Sequence, residues 1–351
     1  MLRSLNKNQL LILRELAFNF NKSLTSVLVR ISQTKNIPLS TLKLNAKVLR
    51  NLGLISIGEF NGKRSAGLSN LGRAVLTILD GVEDLKEKAV VRESIDIEFL
   101  KKKAEIVRKH IIRTIKKAGS GHLGGSLSLV EILVTLYFSK MRHDPSNPLW
   151  KGRDHLILSK GHAAPALYAV LAEAGYIPLD LLDKLRELGS PLQGHPELTV
   201  SGIEMVSGSL GQGLSIGIGM ALGMRLKNIN SRIYVILGDG ELNEGQIWEA
   251  CMTASKYRLD NLTAIVDRNG LQQEGFTEEI KPLEPLDKKW EAFGWKVFEI
   301  DGHDFEQIVW ALTEVENVWG KPTVIIANTT KGKGLPEAEG NNLYHSKVPL
   351  A

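Results

Sequence analysis

Two hydrophobic patterns divide this chain. Over residues 1–79 apolar positions recur at helical spacing. Leu10, Leu11, Leu13, Leu16, Ala17 and Phe20 share roughly one face of a predicted first helix, and a second helix surrounds Val27–Ile31. A third, in "PLSTLKLNAKVLRNLGLI", has Pro38 and Ser40 near its start and Gly53 after Leu52 as its stop. The period then changes. In "LISIGEFNGKRSAGLSN" the turn dipeptide Asn61-Gly62 separates two short extended pieces, and "LSNLGRAVLTIL" begins another helix. Helices followed by such a hairpin predict a small winged helix-turn-helix-like α+β domain over residues 1–80. Residues 81–103 are charge-rich with scattered apolar positions and read as a helical linker.

From residue 104 short apolar runs alternate with helical stretches. The runs are "HLILSK", "RIYVILGD", "NLTAIVDR", "GWKVFEID" and "PTVIIANTT", rich in Val, Ile and Leu and bounded by glycine or polar residues. Such alternation predicts an α/β domain over 104–351, a parallel sheet with helices on both faces. Ligands of such sheets bind beyond the carboxyl ends of the strands. One run stops at Gly238-Asp239-Gly240, which should place the Asp239 carboxylate in that crevice.

Composition adds three constraints. The 351 residues suffice for a sizeable core and two domains. No uninterrupted apolar run of about 18 residues predicts a membrane span, and the N-terminus lacks the features of a signal peptide. The single cysteine, Cys251, leaves no internal disulfide and fits a reducing compartment, so a cytoplasmic location is expected. The net charge of +5 hides an asymmetry: residues 1–79 hold 12 Lys and Arg against 2 Asp and Glu, while the rest holds 32 against 37. Lys43, Lys47 and Arg50 in the third helix, with Lys63 and Arg64 at the hairpin, would face DNA phosphates and bases on one reading. On the other they are solvated charges on a module used for packing or dimerisation.

Candidate chemistry gathers in the second domain. An exposed carboxylate at a strand end suits magnesium, a hard cation that often shares its shell with a phosphate. Asn269, after the next apolar run and separated from Gly240 by 28 residues, is the natural second oxygen ligand. Four histidines sit in glycine-rich or loop-like settings: His122 in "GSGHLGGS", His162 in "SKGHAAP", His195 in "QGHPE" and His345 in "NNLYHSKVP". Imidazoles suit donation to diphosphate and sugar oxygens and proton transfer near neutral pH.

The motifs "GSGHLGGSLS", "LSKGHAAPALY", "GHPE", "GSLGQGLSIGIGMA", "GDGELNEGQIWEA", "VDRNGLQQEG", "EIDGHD" and "KGKG" together resemble the N-terminal half of transketolase. More closely, residues 104–351 resemble the separate N-terminal subunit of transketolases split into two chains. The resemblance implies a parallel-sheet thiamine diphosphate-binding fold and transfer of a two-carbon ketol unit between sugar phosphates. It implies thiamine diphosphate and Mg2+ as cofactors. Asp239, Asn269 and the backbone carbonyl of Leu271 would hold the metal, with Gly240 beside the cofactor. His162 and His345 would bond diphosphate oxygens. His122, His195 and His345 would line the substrate channel and assist proton transfers. Gly208 and Leu210 would approach the cofactor rings, and Glu244 would sit at a subunit interface near the carboxylate that activates the cofactor.

The family's second half, with its pyrimidine-binding pocket and phosphate-binding residues, is not in this sequence. A C-terminal subunit on a separate chain, inactivity of this chain alone, and a heterotetramer are therefore expected. Arg268 before Asn269, Leu123 where proline is common, and Tyr344 and Ser346 around His345 depart from the family pattern. Two alternatives stay open: another thiamine diphosphate enzyme, such as a deoxyxylulose phosphate synthase-like chain or a dehydrogenase alpha subunit, or a DNA-binding regulator with a transketolase-like sensor domain. "GHPE" with "GHLGG" argues for sugar phosphates.

Overall fold

The structure, a computed structural model, describes residues 5–18, 23–60, 63–69, 71, 72, 75 and 95–348. It forms two compact units, Met1–Ser94 and Ile95–Ala351.

In the first unit, α1 (Lys7–Phe18), α2 (Leu24–Lys35) and α3 (Leu39–Asn51) precede an antiparallel pair, β1 (Ile55–Phe60) and β2 (Lys63–Leu68). Asn6 and Gln9 cap α1 reciprocally: each backbone N–H donates to the other's side-chain oxygen, at 2.9 and 3.0 Å respectively. The inward stripe of α1 is Gln9, Ile12, Leu13 and Leu16. Leu10, Leu11 and Ala17 lie only partly buried on its flanks, because the stripe follows the i, i+3, i+4, i+7 rule from Gln9. Val27, Leu28 and Ile31 of α2, Leu42, Ala46 and Leu49 of α3, and Ile55, Ala66 and Leu68 of the strand pair join this core. Gly53 stops α3 as expected. Its φ of 70° lets Leu54 N–H return to the Leu49 carbonyl at 2.9 Å. Phe20, the Asn61-Gly62 turn, the side chains of Lys63 and Arg64, and most of the helix expected after Ser69 lie outside the described residues, as do 81–94 of the expected linker.

In the second unit, α4 (Ile97–Ala118) starts within the segment read as linker. Asp96 caps it, accepting from Phe99 N–H at 3.0 Å, and Leu100 in its first turn is already core. The helices α5 (Leu123–Leu127) and α6 (Val130–Thr135) follow. By length and hydropathy the stretch Leu123–Lys140 could cross a membrane, but 83% of it is buried inside the fold.

All five apolar runs are strands: β3 (His155–Leu158), β4 (Ile233–Gly238), β5 (Leu262–Arg268), β6 (Lys296–Asp301) and β7 (Thr323–Asn328). They form one parallel sheet in the order β3-β4-β5-β7-β6. Alternation decides the two cores. Tyr234 and Ile236 of β4 pack with α4, α6, α7 (Ala164–Glu173) and the helix Phe305–Glu314. Ile233, Val235 and Leu237 pack with α8 (Gln212–Leu226), α9 (Gly245–Lys256) and the helix Leu286–Ala292. Because every strand is parallel, residues following β3, β4, β5 and β7 emerge at one edge.

Candidate functional site

That edge carries the chemistry. Asp239 follows β4 and is 2% exposed. Its Oδ1 accepts from Gly240 N–H at 2.8 Å, and its Oδ2 from Gly270 N–H at 2.6 Å and Arg268 at 3.3 Å. Burial first, then the neighbouring Asp267 charge, hold its carboxyl above the usual range. Asn269 follows β5. Its Oδ1 accepts from Leu271 N–H at 3.1 Å, and its amide donates to Asp267 Oδ2 at 3.1 Å. The Leu271 carbonyl accepts from Lys331 Nζ at 3.2 Å. Of the sequence-predicted set, Asn269 and Leu271 thus lie on the turn after β5, and Asp239, on the turn after β4, is tied to it through the Gly270 N–H. A carboxylate, an amide oxygen and a carbonyl oxygen are hard ligands suited to magnesium, and a cation would relieve the buried Asp239 charge. Among the described residues no three His, Cys, Asp or Glu side chains cluster as a metal site. This donor set would leave the remaining coordination to phosphate oxygens and water.

Three of the four histidines converge. Ring centroids of His122 and His162 are 5.1 Å apart, His122 and His345 5.3 Å, and His162 and His345 5.2 Å. They come from three places: His122 at the start of α5, His162 in the turn after β3, and His345 in the turn Asn342–His345. Gly124 permits the approach, since a Cβ there would sit 2.8 Å from Lys331 Cγ and 3.0 Å from the Tyr344 carbonyl. Lys331 Nζ lies 3.0 Å from His345 Nδ1. An ammonium only donates, so Nδ1 accepts and the His345 proton sits on Nε2. His122 Nδ1 is buried with no protein partner. Burial, then the charges of Arg186, His195 and the buried lysines, pushes His122 down to about 4. Burial and Lys331 push His345 down to about 3, and burial and Lys160 push His162 well below the usual imidazole range. Burial and Lys160 lower Lys331 to about 8. Crowded cationic and imidazole groups with depressed pKa values are the signature of a site shaped for an anion.

Residues 100–350 match the family model of the transketolase thiamine diphosphate-binding domain. The chain belongs to the transketolase family. It is 50% identical over 248 residues to a 6-deoxy-6-sulfo-D-fructose transketolase subunit of Clostridium sp. (strain MSTE9), covering 70% of this chain and 90% of that protein. It is 44% identical over 255 residues to one subunit of the apulose-4-phosphate transketolase of Phocaeicola vulgatus, covering 73% and 91%. Transketolase of Campylobacter jejuni superposes with a TM-score of 0.70 at 37% identity, over 72% of this chain but 41% of that one. The transketolase match therefore spans nearly the full length of subunit-type relatives and under half of a single-chain transketolase. Residues before 100 lie outside the family model.

The remaining predicted residues stand outside this triangle of ring contacts. His195 is exposed and makes no ring contact with the other three, although its charge reaches His122. Its carbonyl accepts from Tyr168 Oη at 2.9 Å, and its ring lies against Gly208. Gly208 is exposed and Leu210 partly so, with Gln246 donating to the Leu210 carbonyl at 2.9 Å. Glu244 precedes α9, exposed, its side chain making no capping bond. Glu241 behaves differently from an acid in a helix's first turn. It is 2% exposed in the turn Gly240–Asn243, where it accepts from Gly211 N–H at 2.7 Å, Gly238 N–H at 2.9 Å and the Ser159 hydroxyl. It ties β3, β4 and the start of α8 together.

Sequence reasoning named no role for Lys160, Asp267 or Lys331. Asp267, wholly buried, accepts from Lys160 Nζ at 2.5 Å, Ser128 at 2.7 Å and the Thr329 hydroxyl. Burial raises its carboxyl, but the Lys160 charge and these bonds prevail and hold it low. Each lies inside a quoted motif, "SKGH", "VDRN" or "KGKG", but the motif alone does not show the pairing. Arg268 binds Glu278 at 2.9 Å and Glu284 at 3.0 Å as well as Asp239. It lines, with Asn269 and Gly270, a cleft of about 560 Å³ that none of the four histidines lines.

Proposed function

We propose that this chain is the diphosphate-binding subunit of a two-chain transketolase, with thiamine diphosphate and magnesium held at the strand-end site. The observation that carries the reading is the triangle of His122, His162 and His345 over Lys331, beside Asp239 and Asn269. Thiamine diphosphate supplies, when bound, the electron sink that ketol transfer needs. The chain's own residues bind and orient. Asp239, Asn269 and the Leu271 carbonyl hold magnesium, with Gly240 at the turn. His162 and the Nε2–H of His345 donate to diphosphate oxygens, and Lys331 adds positive charge. His122, with its free Nδ1, and His195 at the rim meet the hydroxyls of the donor sugar and move protons there. Gly208 and Leu210 flank the cofactor rings.

A second chain supplies the pyrimidine half of the site. Exposed Glu244, just before α9, reaches toward it, and exposed Val206, Ile216 and Met252 fit a surface it covers. Two of each chain would form the assembly. The named substrates of the two-chain relatives are a sulfonated fructose and a sugar phosphate. The donor is accordingly proposed as a ketose with an anionic tail. The first unit is proposed as winged-helix-like.

The test is cofactor binding by the assembled pair. Asp239→Ala is expected to abolish magnesium-dependent thiamine diphosphate binding, read by calorimetry, while the two chains still co-purify. Undiminished binding by that variant would refute the metal assignment.

A further inference from the structure

The first unit lies outside the match to the transketolase family model. Residues 16–58 contain no Asp or Glu, yet hold Lys22, Arg30, Lys35, Lys43, Lys47 and Arg50. Ordinary solvated surfaces intersperse both signs. The acid-free stretch spans α2, α3 and the turn between them.

The geometry sharpens this. α2 and α3 are joined by Asn36, Ile37 and Pro38, with Asn36 in the left-handed region at φ 53°. The two helices pack on one core with α1, which makes a helix-turn-helix with a three-residue turn. α3 buries Leu42, Asn45, Ala46 and Leu49. Asn45 is itself fixed, accepting from Asn6 at 2.9 Å and donating to the Thr41 carbonyl at 2.8 Å, so the helix is locked in rotation. The outward face then presents Lys43, Leu44, Lys47, Val48 and Arg50, all exposed. Positions 43, 47 and 50 form one stripe along a helix of 13 residues, about 20 Å at 1.5 Å per residue.

A second helix of such a pair, with a cationic outer face, has the form that enters the major groove of B-form DNA. The A-form major groove of RNA is too deep and narrow for it. Leu44 at 65% and Val48 at 37% exposure lie among the cations, where thymine methyl groups would meet them. A purely apolar contact with another protein would not require an acid-free surface. We propose that the first unit binds duplex DNA, with α3 as the helix in the major groove and Lys43, Lys47 and Arg50 as its phosphate and base contacts.

The test uses the full chain assembled with its partner chain. A randomised 20-base-pair duplex library is passed over the protein through repeated rounds of selection. Affinity for the enriched duplex is then measured by fluorescence anisotropy across a salt series. The proposal expects enrichment of a motif. For the triple variant Lys43→Ala, Lys47→Ala and Arg50→Ala it expects affinity at least about 30-fold weaker and a salt slope smaller by about 2 to 3. Ketol transfer should be unchanged in that variant. Leu44→Ala should alter the selected sequence and leave the salt slope alone. Failure of the wild type to retain any duplex would overturn the proposal, as would equal binding by the triple variant. So would self-association lost in Leu44→Asp with no duplex bound, which would make α3 a contact between copies of this chain.

Discussion

Lys160 and Asp267 form an ion pair with 2% and 0% of their surfaces exposed. Removing one partner of such a pair leaves an uncompensated buried charge and costs about 3–5 kcal/mol. Lys160→Met should lower the urea midpoint of the second unit accordingly, and adding Asp267→Asn should recover a substantial part. A loss below about 1 kcal/mol in the single variant would mean that the pair is solvated in solution. The imidazoles make a second prediction. His122 and His345 are pushed down to about 4 and about 3 in the fold, below the ordinary value of 6.5. Between pH 6.5 and 4 these two imidazoles bind more protons in the unfolded chain than in the folded one, so the stability they contribute should fall as pH drops through that window. Denaturation midpoints measured across it should decline, and less steeply in His122→Asn. The candidate residues were legible because motifs carry histidines, aspartate and asparagine in glycine-rich settings. The buried lysines were not. Periodicity reports apolar faces, and a lysine inside a short motif gives no sign that its ammonium meets Asp267 rather than water.

At the scale of elements, the five strands were readable from their apolar runs, since a strand covered on both faces needs little polar character. "GWKVFEID" is the polar one, and β6 lies at the sheet edge with most of its residues partly or fully exposed. The start of α4 was not readable, because Asp96 capping an amphipathic, charge-rich helix resembles a linker. The turn after β7 shows how elements position the site. Glu131 on α6 accepts from Arg108 at 2.5 Å and from His303 Nδ1 at 2.9 Å, while His303 Nε2 accepts from Thr330 N–H at 2.8 Å. Arg108 also donates to the Lys333 carbonyl at 3.0 Å. This clamp grips both sides of Lys331. Losing His303 leaves one Glu131 oxygen and the Thr330 N–H short of a partner, at a cost of about 1–3 kcal/mol. His303→Ala should raise the thiamine diphosphate concentration for half-saturation of the assembled enzyme about tenfold or more, and His303→Gln should restore part of it. An unchanged half-saturation would remove the clamp from the account of the site.

The whole molecule joins a transketolase subunit to a basic module, and the two were separable in the sequence by charge and hydrophobic period. The order β3-β4-β5-β7-β6 was not, because parallel strands of similar composition do not encode their neighbours. The meeting of His122, His162 and His345 from three distant segments likewise depends on that order. The central claim is that this chain holds one half of an active site. The most direct measurement is a coupled ketol-transfer assay with thiamine diphosphate and magnesium, on the purified chain alone and then mixed with the candidate second subunit encoded beside it. The account predicts no turnover alone, turnover in the mixture, and loss of that turnover with Asp239→Ala. Robust turnover by this chain alone would contradict it.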